Sequence, residues 1–279
     1  MTYETPQAFE RALSDRLKHR AAEEGVDLDR LRKRVAFERF LARLFDRDSA
    51  RWVLKGGYAL ELRLGGRARA TKDVDLDMPA PPTEDLLDEL QEAAEKDLGD
   101  FFVFRVGAPK PMRGAPLGSL RFSVEARLAG KPFTGFALDV GQGDQPLGEV
   151  EWKDGQADLG FAGIGRAKIA VYPLADHFAE KLHAYTRPRE RRTRVKDLLD
   201  LSIILEELAD GLPPLEEMQR IIEATFNRYD THVLPDPLPL PPGDWAEPFK
   251  AEAANLGLTT TDISSEHNAL EKYLRALGE

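Results

Sequence analysis

Leu54-Lys55-Gly56-Gly57-Tyr58, followed after a short interval by Thr71-Lys72-Asp73-Val74-Asp75-Leu76-Asp77, is the stretch from which the rest of this 279-residue chain can be read. Arg51–Leu54 is a short apolar run into the glycine pair. Tyr58 to Leu64 reads as a helix with Leu60 and Leu64 on one face, ended by Gly65-Gly66. Two glycines at a helix start let backbone N–H groups approach an anion closely, and the helix dipole adds to that attraction. From Arg69 to Met78 the pattern alternates. Val74 and Leu76 point one way and Asp73, Asp75 and Asp77 the other, which makes a strand with a polar face. Carboxylates at i and i+2 on such a face are hard oxygen ligands of the kind Mg²⁺ takes together with substrate phosphates. Either half alone reads as an ordinary turn or a solvent-facing strand. The two in this order read as a phosphate and metal site, with Asp77 as a strand-end cap.

A two-metal site needs a third carboxylate. Asp139 is the best candidate, because it sits in the apolar strand Phe136-Ala137-Leu138-Asp139-Val140, where a charge needs a reason. Further strands are expected at Phe101–Val106, Ser119–Leu128, Phe133–Val140 and Lys168–Val171. Helices are expected over residues 5–24, with Phe9, Leu13 and Leu17 at four-residue spacing, over 27–45, and over an acidic segment from Thr83 to about Leu98. From Pro173 the pattern turns helical: Leu174–Thr186, Val195–Ala209, Leu215–Tyr229 and Ser264–Leu277. Leu234 to Gly243 holds five prolines and reads as a rigid linker or wrap-around loop. The expected fold class is α+β. Residues 1–172 form the sheet-containing catalytic half with its N-terminal helices, and residues 173–279 form a mainly helical domain.

Composition narrows the chemistry. There is no cysteine, which excludes disulfides, thiolate catalysis and cysteine-ligated metals. Five scattered histidines form no HExxH pair. No apolar run is long enough to span a membrane, and the acidic N-terminal residues do not read as a signal peptide, so the expected location is the cytoplasm, with no membrane partner.

The block Leu54-Lys55-Gly56-Gly57 with Asp73-Val74-Asp75 resembles the signature of the DNA polymerase β-like nucleotidyltransferases. Ala179-Glu180-Lys181-Leu182-His183-Ala184 with Val195-Lys196-Asp197-Leu198-Leu199-Asp200-Leu201 is similar to the helical motifs of the AbiEii family, the AbiE-like and MenT-like toxins of type IV toxin–antitoxin systems. The resemblance covers about residues 50–205. It implies a polymerase β-like sheet with flanking helices and transfer of a nucleoside monophosphate from an NTP, with Mg²⁺. In mycobacterial members the acceptor is the tRNA 3′ end. Gly56 and Gly57 match the phosphate-binding turn, Asp73 and Asp75 the catalytic metal pair, Lys181 a conserved lysine placed here on the triphosphate, and Asp197 the catalytic aspartate of the helical half. Asp139 joins Asp73 and Asp75 as a metal ligand. The resemblance also implies a cognate antitoxin encoded nearby, with no direct contact required. Two departures stand out. Tyr58 takes the place of the family's usual Ser or Thr, and Lys196 that of an arginine, which keeps the charge and loses the bidentate fork.

The net charge of −10 argues against a nucleic-acid partner at first sight. The distribution changes that. Residues 187–196 carry +5, while residues 83–100 carry −7. Arg189, Arg191, Arg192 and Arg194 in the first segment, with Arg67 and Arg69 beside the aspartate strand, bracket the two motifs and suit a phosphate-rich acceptor. Lys110, Arg113 and Arg121 are a third basic group. No aromatic ladder accompanies them, so shape and backbone recognition of structured RNA fits better than single-strand stacking. Transfer to a protein side chain, and a catalytically inactive RNA- or partner-binding module of the same fold, are the other readings.

Overall fold

Thr5 accepts a hydrogen bond from the Ala8 amide and Pro6 follows it, so the first helix, α1 (Pro6–Glu24), begins capped. Asp27 caps α2 (Leu28–Leu44) through the Arg30 amide. The computed structural model describes residues 2–45, 51–65, 71–78, 86–112, 119–142, 145–188, 194–256, 258–259 and 261–278. Its elements continue as β1 (Val53–Lys55), α3 (Gly56–Leu64), β2 (Asp73–Met78), α4 (Leu86–Glu95), β3 (Phe102–Val106), β4 (Lys110–Pro111), β5 (Leu120–Leu128), β6 (Lys131–Gln142), β7 (Glu151–Asp154) and β8 (Lys168–Val171). Five helices follow: α5 (Leu174–Thr186), α6 (Val195–Glu207), α7 (Leu215–Tyr229), α8 (Ala246–Leu256) and α9 (Ile263–Leu277). The chain divides into two compact units, Met1–Gln145 with Val150–Tyr172, and Pro146–Glu149 with Pro173–Glu279.

The first unit is built on one mixed sheet in the order β3-β5-β6-β2-β1-β8-β7, with β4 paired on β5. β2 runs parallel to β6 and β1 parallel to β8; the other neighbours are antiparallel. Alternation gives the sheet two different faces. Val74, Leu76, Phe122, Val124, Leu138 and Val140 are buried in the core. Phe37 and Phe40 of α2 pack edge-on against Phe136 at centroid distances of 4.9 and 5.8 Å. Burying each such ring contributes roughly 2–3 kcal/mol. The intervening residues, including Asp73, Asp75, Arg121 and Asp139, point the other way.

The β5–β6 hairpin turns at Ala129-Gly130, both at positive φ, as a type I′ turn requires. A bulge between Ala126 and Arg127 shifts its register by one residue. The consequence falls far from the turn: Arg121 stands opposite Asp139.

In the second unit Phe178, Leu182, Leu198, Leu201, Ile222, Phe249 and Leu270 are buried in a helical core. The proline-rich segment is tied down: Leu238 is buried, and the Tyr185 hydroxyl donates to the Pro239 carbonyl at 2.9 Å. The chain is thus mixed α and β, with a central mixed sheet and flanking helices as the sequence implies. Some details differ. α3 starts at Gly56, so the glycine pair forms the first helical turn and does not precede it. β4 and β7 are two and four residues long, too short for alternation to register. α8 was masked by Pro248, which sits in its first turn, where a missing N–H costs nothing. The expected Thr83 cap, the Gly66 terminator, the Arg69 start of the aspartate strand and Arg113 lie outside the described residues.

Candidate active site

The site of the first unit is a row across four strands. β1 pairs Lys55 with Asp75, β2 pairs Asp75 with Asp139, and β6 pairs Asp139 with Arg121. In-register residues share a face, so Lys55, Asp75, Asp139 and Arg121 stand side by side. Asp73 and Asp77 flank Asp75 on the same strand and face. The sheet therefore does what the sequence asks of it: it brings Asp73, Asp75 and Asp139 onto one surface, although Asp139 is sixty-odd residues downstream.

Each charge has a distinct setting. Asp77 is fully buried, and Lys55 Nζ lies 2.9 Å from its Oδ2, so it is a neutralised strand-end charge as the pattern suggests. Asp73 is partly open and accepts from the Thr71 hydroxyl at 3.1 Å. Asp139 is 6% exposed, and Arg121 grips both its oxygens, Nε to Oδ1 and Nη2 to Oδ2, each at 2.6 Å. The same Nη2 is 3.8 Å from Asp73 Oδ2. The fork onto Asp139 pushes the Arg121 guanidinium above its ordinary pKa. The sequence pattern singles out neither cation: Lys55 enters it as part of the motif and Arg121 as one of a third basic group.

Gly56 closes the row. It has φ +69°, and a Cβ there would collide with the Asp75 carboxylate. Only glycine lets the start of α3 sit against that side chain. The Lys55 side chain, at the cap position of this helix, makes no capping hydrogen bond. Its first-turn amides therefore keep the capacity for an anion. Tyr58 turns inward: it is 1% exposed and donates to Glu38 Oε1 at 2.9 Å. Glu38 also accepts from the Ala157 amide, and burial pushes its carboxyl upward. The missing Ser or Thr hydroxyl is thus replaced by a core contact.

The residues fit a divalent cation. On this part of the face four carboxylates meet two cations, a formal −2, and the donors are hard oxygens on rigid strands. Gly56, where an added Cβ would strike the Asp75 carboxylate, brings the start of α3 beside the same carboxylates. Among the described residues no group of three or more acidic or histidine side chains is arranged to hold a metal as it stands. Asp139 is turned to Arg121 instead.

In the second unit, Lys181 Nζ lies 2.8 Å from Asp200 Oδ2 and 3.2 Å from Asp197 Oδ1. Arg194 Nη1 reaches Asp197 Oδ2 at 3.4 Å. Both aspartates are nearly closed to solvent. The candidates on α5 and α6 are therefore one ion cluster. His183 stacks on Tyr229 at 4.5 Å and meets the Thr231 hydroxyl at 2.8 Å. Arg67, Arg69, Arg189, Arg191 and Arg192 lie outside the described residues. Among the described residues no helix is long and apolar enough to cross a membrane.

The family model described as nucleotidyl transferase AbiEii toxin, type IV toxin–antitoxin system, matches residues 39–276. Among solved structures the chain is similar to MenT4, a nucleotidyltransferase toxin from Mycobacterium tuberculosis H37Rv, at 20% identity and a TM-score of 0.56, covering 96% of this chain and 98% of that one. At that identity the likeness speaks for the fold. JHP933 from Helicobacter pylori matches at 20% identity and a TM-score of 0.44, over 86% of this chain and 94% of that one. No curated protein matches.

Proposed function

The chain belongs to the AbiEii nucleotidyl transferase toxin family of type IV toxin–antitoxin systems, and we propose that it transfers a nucleoside monophosphate from an NTP to an RNA acceptor, the tRNA 3′ end, with Mg²⁺. The observation that carries this is the in-register row of Asp75 and Asp139 with Asp73 beside it, against a helix start that only glycine permits. In the reaction an acceptor hydroxyl oxygen bonds to the α-phosphorus, the bond from that phosphorus to the bridging oxygen breaks, and pyrophosphate leaves. Asp73, Asp75 and Asp139 would hold Mg²⁺, which would supply neutralisation of the phosphate charge. The first-turn amides at Gly56 and Gly57 bind phosphate oxygens. A carboxylate of the face accepts the hydroxyl proton. Lys181 serves the triphosphate, and Asp197 acts as base or orienting group. Arg67, Arg69, Arg189, Arg191, Arg192 and Arg194 hold the RNA backbone. The reading places the protein in the cytoplasm beside a cognate antitoxin that it need not touch.

The test is incubation of pure protein with α-labelled NTPs, Mg²⁺ and total tRNA. Wild type labels RNA, and Asp75→Ala does not. Labelled protein bands that survive ribonuclease would move the acceptor to a protein side chain. NTP binding without any transfer would make the chain a non-catalytic module.

A further inference from the structure

One member of the carboxylate row is already held by a cation of the chain itself. Arg121 uses two N–H groups on the two oxygens of Asp139, the tightest geometry a guanidinium and a carboxylate adopt. Its Nη2 also leans toward Asp73. The guanidinium therefore lies between two of the three carboxylates proposed to hold Mg²⁺. The partners differ in freedom. The Asp139 side chain is 8% exposed and fixed on a central strand, whereas the Arg121 side chain is 48% exposed. Arg121 is the partner that can move.

We propose that Arg121 is an internal counter-cation that keeps Asp139 out of the metal-binding set until a nucleoside triphosphate arrives, and then exchanges Asp139 for the triphosphate, so that metal and nucleotide bind cooperatively. This rests on the Mg²⁺-dependent reading above. The physical reasons are three. A divalent ion arriving alone must break a bidentate pair, and it then shares the face with a displaced positive charge. A triphosphate removes that obstacle, because a guanidinium matches phosphate oxygens as well as carboxylate oxygens. Release of Asp139 then completes a three-carboxylate set. By linkage, whatever factor the nucleotide adds to metal affinity, the metal adds to nucleotide affinity. The register that makes this possible is set by the bulge at Ala126/Arg127. Without it Arg121 would stand opposite Leu138.

The test measures Mn²⁺ binding to the full chain by the loss of its free paramagnetic signal, with and without an α,β-methylene NTP analogue. Asp75→Asn corrects for ion carried by the analogue alone. Without the analogue, Arg121→Met is expected to bind Mn²⁺ about tenfold more tightly than wild type. Arg121→Lys, which keeps the charge and loses the fork, should fall between them and serves if the Met variant folds poorly. Adding the analogue should raise the affinity of wild type by a similar factor and that of Arg121→Met little. Equal Mn²⁺ affinities in wild type and both variants, with or without analogue, would overturn the proposal and leave the metal reading standing. Binding no better than that of Asp75→Asn in any protein, analogue present, would overturn the metal reading and the proposal with it.

Discussion

Asp75 presents its carboxylate to the α-carbon of Gly56, at the spot where any other residue would carry its Cβ. Cγ of Asp75 would lie 2.7 Å and its Cβ 3.0 Å from that added atom, so rotating the carboxylate does not clear the space. Gly65, at the far end of the same helix, has nearly the same positive φ and nothing within 4 Å. The pair separates backbone strain from steric conflict. Gly65→Ala should cost about 1–2 kcal/mol, the strain of a left-handed alanine. Gly56→Ala should cost roughly 1–3 kcal/mol more from overpacking. It should also lower nucleotidyl transfer about a hundredfold, because displacing a reacting group by an ångström has that effect. Thermal melts and initial rates on both variants check it; equal melts would show that the Asp75 contact is soft.

Tyr58 occupies the position where the family pattern has a small hydroxyl residue, yet its own hydroxyl is committed to Glu38. Tyr58→Phe removes a hydrogen bond to a buried carboxylate and should cost about 1–2 kcal/mol. Turnover and NTP KM should stay within a factor of about two of wild type. A tenfold rise in KM would show that the hydroxyl reaches nucleotide after all.

The aspartate pair, the glycine turn and Asp139 were legible because each depends on period and chemistry over a few neighbouring residues. The cations that complete the row were not. Arg121 meets Asp139 through a register that counting back from the Ala129-Gly130 turn misses by one residue, because the bulge inserts an extra one. Lys55 reaches past its direct partner Asp75 to Asp77, a diagonal contact that no linear pattern specifies. On α6, the i, i+3 spacing of Asp197 and Asp200 makes them neighbours. That both close on Lys181 depends on how α5 and α6 pack, which sequence spacing does not contain. The short strands β4 and β7 escaped for a simpler reason: so few residues carry no period.

Lys181 neutralises two aspartates whose side chains are 6% and 3% exposed. Removing the one charge they share leaves both buried and under-compensated. Lys181→Ala should therefore lose about 3–5 kcal/mol of stability, in addition to any loss of activity. Lys181→Arg keeps the charge and should recover most of the stability. Urea denaturation of the two variants, beside transfer assays, checks whether the residue acts as a structural ion, a nucleotide ligand or both. If Lys181→Ala melts like wild type while losing turnover, the cluster does not need its cation to fold.

Glu266 on α9 offers a pH signature in the second unit. Burial lifts its carboxyl from 4.5 to about 7, Ser202 opposes the rise, and Glu206 and Asp262 reinforce it. Glu206 is itself held by the amide and hydroxyl of Thr259 at 3.0 and 2.9 Å, so it cannot easily retreat. A carboxyl with a folded pKa above its unfolded one binds its proton more tightly in the folded state. Its stabilisation is complete below about pH 4.5 and is lost as pH rises toward about 7. Glu266→Gln imitates the protonated form at every pH. It should match wild type near pH 4.5 and exceed it by about 2 kcal/mol at pH 8, which flattens the stability profile between. Chemical denaturation at both pH values measures the difference. A constant offset between variant and wild type across that range would show that Glu266 titrates alike in the folded and unfolded chains.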